Sequence, residues 1–386
     1  MSTLFKGISS LALTGERFGD VRLVENAALA VDGGKVVYAG PASKAPDCQE
    51  EIDLGGRSVI PGFVDSHAHL IFAGERSEEF ASRITGKPYA AGGIRTTVRA
   101  TRAASNEELR ANAEKLIAEF YASGITQFEI KSGYGLDVET ELRSLKIAAE
   151  LTQHTTFLGA HVVPEGVERA DYIKSVTGEM LQAVRPYAKW IDVFCDQGAF
   201  SVEETKQILE AGIAAGLKPR LHANQIANLG VIPLAVEMDC ASVDHATHLT
   251  AEDVAVLSGS NTVVTLLPGA EFSTKSPYPD ARRLASAGIT LAIATDCNPG
   301  SSYTTSMPFC IAVAVREMGL SPEQALWAAT RGGARALRTE GGSLEVGASA
   351  DFVVLDAPSH VFLSYRPGVQ LVSQTYIAGR RVFERQ

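Results

Sequence analysis

Histidine is the residue type in this chain that is best suited to metal chemistry. The chain has eight histidines, and His67 and His69 are separated by a single alanine. In an extended segment residues i and i+2 point to the same side, so these two imidazoles can face one point. Further candidate ligands follow apolar segments far apart in the chain, namely His161, His222, His245 and Asp296. Neutral imidazoles and one carboxylate are a typical ligand set for a single metal ion with an open position for water.

Such a ligand set indicates hydrolysis or deamination with water as the nucleophile. A metal ion held in this way lowers the pKa of its water from about 15.7 toward about 7 and polarises a carbonyl oxygen. The sequence has no glycine-rich phosphate loop after a predicted strand and no Gly-x-Ser-x-Gly motif, and Cys195 stands in no catalytic motif. For His161 and His245, spacing alone leaves open that they are hydrogen-bonded histidines of a protein core.

Eight predicted strands position these side chains. Each is a short apolar or β-branched run that is followed by a polar loop and a helical stretch. The runs end near Ser66, Lys131, His161, Cys195, His222, His245, Leu267 and Asp296. Eight βα units over residues 59–318 predict an α/β fold, a (β/α)8 barrel of the TIM type, which needs about 250 residues and places its active site at the carboxyl ends of the strands. Proline weakens two of the predicted strands, through Pro61 and Pro219.

Both ends of the chain are rich in β signals. Residues 27–31 and 35–39 flank the turn Asp32-Gly33-Gly34, which predicts a hairpin. Near the carboxyl end, residues 351–356 and 376–383 have strand character, and the second of these runs bends at Gly379. We expect one small β-sandwich domain built from both termini. The predicted limits are 1–58 and 340–386 for this domain and 59–339 for the barrel.

A long segment, residues 70–104, separates the first predicted barrel strand from its helix. It contains Gly92 and Gly93 and several basic residues, which are Arg76, Arg83, Lys87 and Arg95. A segment of this length beside a predicted site is typical of a cover over its mouth. The sequence leaves open whether it moves on binding.

Charge and composition argue against several classes of protein. The 386 residues include 35 Lys and Arg and 45 Asp and Glu, and the net charge of −10 repels nucleic-acid phosphates and anionic membranes. No run approaches the roughly 18 apolar residues of a spanning helix, and the amino end lacks a signal-peptide run. The five cysteines are odd in number and form no Cys-x-x-Cys pair, which favours reduced thiols. We expect a cytoplasmic protein with a small-molecule substrate and without nucleic-acid or membrane partners.

The chain resembles the metal-dependent amidohydrolase superfamily. The resemblance lies in residues 61–70, which include the His67-Ala68-His69 motif, in the later histidines and in Thr295-Asp296. This resemblance covers nearly the whole chain. Four further segments are similar to the branch of the superfamily that hydrolyses an imidazolone ring. They are residues 131–136, 157–161, 266–269 and 295–301.

The resemblance implies a substrate, a metal site and a set of substrate contacts. The implied reaction of 4-imidazolone-5-propanoate with water gives N-formimidoyl-L-glutamate. The implied ligands of one zinc or iron ion are His67, His69, His222 and Asp296. The implied substrate contacts are Arg76, Tyr134, His161, Gln225, Asn298, Gly300 and Ser301. A guanidinium suits a propionate because it forms a bidentate pair, although Arg76 also fits as a solvated loop residue and Tyr134 as a turn filler.

The catalytic assignment takes account of one departure from the family pattern. Some members carry glutamate three residues after the fifth-strand histidine, where this chain has Gln225. An amide forms hydrogen bonds to the ring or to water but cannot act as a general base, so proton transfer is assigned to His245 or Asp296. Our hypothesis is that His245 stabilises the developing oxyanion and that Asp296 relays the proton to the leaving nitrogen.

Two alternative functions stay open at this point. One is a deaminase or cyclic-amide hydrolase of the same superfamily that acts on another heterocycle. The other is a barrel without catalysis that serves as a binding module, although the intact candidate ligands argue against it. A single metal ion is preferred, because binuclear relatives use a carboxylated lysine where this chain has Phe194-Cys195-Asp196. A homodimer is expected, while the choice between zinc and iron stays open.

Overall fold

The computed structural model describes residues 2–85 and 93–386. The strands are β1 (Thr3–Thr14), β2 (Val21–Asp32), β3 (Lys35–Pro41), β4 (Glu50–Pro61), β5 (Phe63–Asp65), β6 (Ile125–Lys131), β7 (His154–Ala160), β8 (Trp190–Cys195), β9 (Lys218–Ala223), β10 (Ser242–His245), β11 (Val263–Leu266), β12 (Leu291–Ile293), β13 (Phe352–Leu355), β14 (Val372–Ile377) and β15 (Arg380–Glu384).

The helices surround the barrel strands or connect the two sheets. They are α1 (Ser77–Ile84), α2 (Ile94–Ala103), α3 (Asn106–Ser123), α4 (Val138–Leu151), α5 (Arg169–Thr177), α6 (Glu179–Val184), α7 (Val202–Ala214), α8 (Ile232–Glu237), α9 (Ala251–Ser258), α10 (Pro268–Thr274), α11 (Ala281–Ser286), α12 (Met307–Glu317), α13 (Pro322–Trp327), α14 (Gly333–Ala336) and α15 (Phe362–Tyr365). Short 3-10 turns lie at Ala42–Lys44 and Arg185–Tyr187, and a π turn lies at Ala328–Gly332.

Strands β5 to β12 form a parallel sheet in sequence order, and this sheet closes on itself. Ala68, just after β5, forms a parallel bridge with Cys297, just after β12. The His69 N–H donates to the Cys297 carbonyl at 3.0 Å, and the Asp296 N–H donates to the His67 carbonyl at 2.9 Å. Within the described residues the sheet has eight strands, so the predicted (β/α)8 fold class is confirmed. Closure brings the first and last predicted metal ligands side by side.

Both termini contribute to the second sheet, as predicted. Its order is β15-β14-β13-β4-β1-β2-β3, with β1 and β4 parallel and the other neighbours antiparallel. The predicted hairpin is β2 and β3. The predicted bent strand near the carboxyl end is instead a second hairpin, β14 and β15, because Ala378 and Gly379 have φ of 47° and 72° and form a tight turn. Strand β4 runs to Pro61, past the predicted limit at residue 58, and the domain limits stay a prediction.

Local sequence signals place the barrel helices. The side chains of Ser105, Ser201 and Thr250 accept hydrogen bonds from the third helical N–H of α3, α7 and α9, which forms a capping box in each case. Pro219 is the second residue of β9 and keeps its carbonyl in the ladder, where it accepts from the Ala241 N–H at 2.9 Å. Proline therefore does not interrupt this strand.

The long segment after β5, residues 70–104, contains α1 and α2, which lie on either side of residues 86–92. Arg76 and Ile94 from this segment line the cavity at the carboxyl ends of the strands. Lys87 and Gly92 lie outside the described residues, so the predicted cover is described only in part. In the described ranges, we find no helix with the length and apolar character needed to cross a membrane.

Candidate active site

Five predicted site residues meet where the barrel strands end. His67 and His69 follow β5, His222 lies in β9, His245 ends β10, and Asp296 follows β12. All five side chains are buried. The Nε2 atoms of His67 and His69 are 3.3 Å apart, and Asp296 Oδ1 lies 3.5 Å and 3.6 Å from them. His222 joins this group, with ligand atoms of the three histidines within 4.8 Å of one another.

These separations fit the binding of one metal ion. Zinc binds imidazole nitrogen at about 2.0–2.1 Å with tetrahedral angles, which separates two ligand atoms by about 3.3–3.4 Å. The observed separations of 3.3, 3.5 and 3.6 Å lie close to that value. His245 and Asp296 also have positive φ angles, of 73° and 51°. This backbone conformation is unfavourable for residues other than glycine, and residues that adopt it are found most often at functional sites. The donor set and its spacing therefore fit a metal ion.

Two carboxylates beneath the cluster orient its imidazoles. Asp244 Oδ2 lies 2.7 Å from His67 Nδ1, and Asp192 Oδ2 lies 3.0 Å from His222 Nδ1. A carboxylate on one ring nitrogen selects the tautomer and directs the other nitrogen toward a metal ion. In His67 the nitrogen left for a metal ion is Nε2.

The two carboxylates belong to a larger group of charges inside the barrel, which we call the buried ion network. Its members are Glu129, Lys131, Asp192, Arg220 and Asp244, and all five side chains are fully buried. Lys131 Nζ lies 2.7 Å from Asp192 and 3.0 Å from Glu129, and Arg220 Nη1 lies 2.9 Å from Glu129. Two cations and three carboxylates leave the network with a formal charge of −1, on the side of the ligands away from the cavity.

Burial favours the neutral form of four imidazoles of the site, those of His67, His69, His161 and His245. It lowers the pKa of His67, His69 and His245 well below the ordinary value. Burial also lowers the pKa of His161 to about 4. Neutral imidazoles offer the lone pairs that a metal ion needs.

The two orienting carboxylates are held in the ionised form. Burial raises the pKa of Asp192, but His222 and Lys131 outweigh that effect and the pKa is lowered. For Asp244, Arg220 and Lys131 likewise outweigh burial and lower the pKa. Asp296 differs, because burial raises its pKa well above the ordinary value. Asp296 is thus the carboxyl of the site that takes up a proton most readily.

The cavity beside the imidazoles is lined by predicted site residues, namely His69, Arg76, Tyr134, His161, His222, Gln225, His245, Asp296, Asn298 and Ser301. His67 lies beneath them and Gly300 packs against Arg76. Ile94 and Phe194 also line the cavity and were not predicted. The structure brings the predicted residues together, while their individual roles stay predictions.

The loop after β12 is organised by its own side chains. The Asn298 amide donates to the Asp296 carbonyl at 2.6 Å and to Ser301 Oγ at 3.0 Å. Its oxygen accepts from the N–H groups of Gly300 and Ser301 at 2.8 and 2.9 Å. Because both its protons and its oxygen are engaged within the loop, the Asn298 side chain shapes the loop that borders the cavity.

Comparison with known proteins agrees with this geometry. Residues 58–382 match the Amidohydrolase family. Over 387 aligned residues, 99% of each protein, the chain is 55% identical to the imidazolonepropionase of Streptomyces griseus subsp. griseus. It is 59% identical over 361 residues to the imidazolonepropionase of Salinispora arenicola, which covers 92% of each protein. The chain belongs to the imidazolonepropionase family of amidohydrolases.

Imidazolonepropionase family membership confirms the resemblance drawn from residues 61–70 and from the four further segments. The fold itself is shared more widely. A guanine deaminase from C. acetobutylicum with bound guanine superposes with a TM-score of 0.73 at 16% identity, over 99% of this chain and 100% of that one. That likeness concerns the fold alone.

In this member of the imidazolonepropionase family, the predicted site omitted the buried ion network. One sequence signal for it exists. Glu129 precedes Lys131 by two residues, and Arg220 precedes His222 by two residues, so each pair shares one face of its strand. Alternating charged residues in otherwise apolar strands therefore indicate groups that point into the barrel beneath the ligands.

Proposed function

We infer that this chain is an imidazolonepropionase. It hydrolyses the bond between the ring carbonyl carbon and the adjacent ring nitrogen of 4-imidazolone-5-propanoate and releases N-formimidoyl-L-glutamate, a step of histidine degradation. The observation that carries this conclusion is the cluster of His67, His69 and Asp296 at the floor of the cavity. The relatives that are 51–59% identical supply the substrate.

The proposed metal ligands are His67, His69, His222 and Asp296. Imidazole and carboxylate donors suit zinc and iron alike, so the proposal includes both ions. When bound, the ion supplies Lewis acidity that polarises the ring carbonyl and acidifies a water molecule. The protein contributes the binding, the orientation and the proton transfers.

Three side chains carry the chemical step in this proposal. His245 is kept neutral by burial, and it donates an N–H to the carbonyl oxygen as negative charge develops there. Asp296 takes the proton of the attacking water and passes it to the leaving ring nitrogen. Gln225 has no titratable group and binds the ring or the water through hydrogen bonds.

The rest of the cavity holds the substrate. Arg76 binds the propionate carboxylate through its guanidinium. Tyr134 and His161 border the ring position, with their own rings 5.5 Å apart. The loop that Asn298 organises closes the cavity on the side of Gly300 and Ser301.

The proposal is tested by following freshly prepared 4-imidazolone-5-propanoate with metal-loaded protein and identifying the product by mass. The control is the His67→Ala variant, because the substrate decays unaided. Production of N-formimidoyl-L-glutamate well above the control supports the proposal. Equal decay with both proteins, despite one metal ion per wild-type chain, contradicts it.

Two further expectations belong to this proposal and stay predictions. The homodimer is tested by light scattering of the purified protein. The cytoplasmic location is tested by cell fractionation with an antibody against this chain.

A further inference from the structure

Arg76 forms a bidentate ion pair with a residue that the proposed chemistry does not use. Arg76 precedes the first residue of α1, and Glu79 lies in the first turn of that helix. Arg76 Nε lies 2.8 Å from Glu79 Oε2, and Arg76 Nη2 lies 2.6 Å from Glu79 Oε1. The Arg76 side chain is 5% exposed and that of Glu79 is 32% exposed. The Glu79 carboxylate thus occupies one edge of the guanidinium and orients it from the solvent side.

The backbone of two glycines, Gly93 and Gly300, packs closely against the Arg76–Glu79 pair. A Cβ added to Gly93 would lie 1.9 Å from Glu79 Oε2 and 2.1 Å from Arg76 Nη2. A Cβ added to Gly300 would lie 2.2 Å from Arg76 Nη1. Glu79 therefore fixes one edge of the Arg76 guanidinium. The Nη1 end of the guanidinium packs against the loop that borders the cavity.

Two arginine side chains meet at Gly300. Arg83 Nη2 donates to the Gly300 carbonyl at 3.0 Å, and Arg76 packs against the same glycine. Two guanidinium groups therefore lie against the glycine that borders the cavity.

We propose that Glu79 is a positioning residue for recognition of the substrate carboxylate, because it holds the Arg76 guanidinium in the orientation that meets the propionate. This inference rests on the proposed function, which assigns Arg76 to that propionate. It predicts that Glu79 controls the binding of carboxylate-bearing ligands and leaves ring chemistry unchanged.

The experiment compares Glu79→Ala and Glu79→Gln with the wild type in kcat, KM and ligand binding. The two probes are imidazole-4-propanoate and its uncharged amide, imidazole-4-propanamide, as competitive inhibitors. Glu78→Ala is the matched control, because Glu78 is an exposed neighbour on the same helix. We expect KM and the inhibition constant of the propanoate to rise about tenfold or more in Glu79→Ala and less in Glu79→Gln. The kcat value and the inhibition constant of the amide stay within about twofold.

A second variant perturbs the pair without touching either partner. In Gly93→Ala the three atoms nearest to the new Cβ belong to the ends of the Glu79 and Arg76 side chains, so we expect the pair to shift while the fold persists. We expect the same selective loss of propanoate binding, with an unchanged thermal midpoint of unfolding.

Three results would overturn the inference. Tighter binding of the propanoate in Glu79→Ala would mean that Glu79 competes with the substrate for Arg76. Equal weakening of the propanoate and the amide would mean general damage to the cavity, and unchanged constants would mean no role for Glu79. Wild-type turnover is measured first, since an inactive wild type refutes the proposed function together with this inference, whereas an active wild type with unchanged Glu79 variants refutes this inference alone.

Discussion

Replacing Asp244 by asparagine removes one negative charge from beneath His67 and keeps the size of the side chain. Asp244 Oδ2 lies 2.7 Å from His67 Nδ1, 3.4 Å from Arg220 Nη2 and 3.7 Å from Lys131 Nζ. An asparagine oxygen still accepts the Nδ1 proton, but without the charge that strengthens His67 as a metal ligand. We therefore expect Asp244→Asn to bind its metal ion more weakly.

The expected loss of metal affinity follows from the role of Asp244 behind His67 and from the charge balance of the site. Loss of a carboxylate that orients a metal-binding histidine weakens metal affinity by about 10–100-fold. The buried ion network has a formal charge of −1, which together with Asp296 balances a divalent ion when the imidazoles are neutral. In Asp244→Asn one positive charge is left without balance, which favours the upper half of that range.

The metal-free fold also loses stability. Arg220 keeps its contact with Glu129 at 2.9 Å and its donation to the Ser66 carbonyl at 2.7 Å. Two hydrogen bonds to the Asp244 carboxylate weaken, from His67 and from Arg220, so the cost in free energy of unfolding is about 2–4 kcal/mol.

The assay titrates metal-free protein with zinc in competition with a chromophoric chelator. The matched control is Asp171→Asn, an exposed carboxylate of α5, which we expect to bind zinc like the wild type. An Asp244→Asn protein whose zinc affinity stays within about twofold of the wild type would refute the role given to this carboxylate.

Three further predictions concern the chemical step and the buried charges. His245→Asn lowers kcat by about 10²–10⁴-fold and leaves the metal content near one ion per chain, and retained turnover or lost metal would contradict its role. Burial raises the pKa of Glu271 from 4.5 to about 8, so the native state binds a proton at this carboxyl more tightly than the unfolded state does. The stability that the protonated Glu271 contributes is complete below about pH 4.5 and is lost as the pH rises through about 8. Thermal midpoints measured across that range should fall with pH in the wild type and fall less in Glu271→Gln, and parallel curves would contradict the burial effect. Arg220→Met leaves the carboxylates Glu129 and Asp244 with one cation fewer in a buried site and lowers the free energy of unfolding by about 3–5 kcal/mol, measured by urea titration; unchanged stability would refute the pairing.

The positions of the candidate site residues were predictable because they depend on strand ends. Parallel strands of a barrel finish on the same face, so His222, His245 and Asp296 meet there whatever the details of packing. The His67-Ala68-His69 motif needs only the two-residue period of an extended chain. The Asp32-Gly33-Gly34 turn was equally predictable, because turn residues determine hairpins locally.

The partners beneath the ligands were not predictable in the same way. Asp192 lies inside an apolar strand, and its contact with Lys131 joins β8 to β6 across the barrel interior. Such a contact depends on how the closed barrel fills its centre, which no local pattern specifies. The pairing of Arg76 with Glu79 is a local i, i+3 contact, but its importance depends on Gly93 and Gly300, which approach from other segments.

The most direct test of the account is the rate of 4-imidazolone-5-propanoate hydrolysis as a function of added metal. Metal-free protein is titrated with zinc or iron(II), and product is measured by mass at each ratio. We predict that the rate starts near the uncatalysed value, rises linearly and reaches its maximum at one ion per chain. Full activity without metal, or a maximum that requires two ions per chain, would contradict a single site at His67, His69, His222 and Asp296.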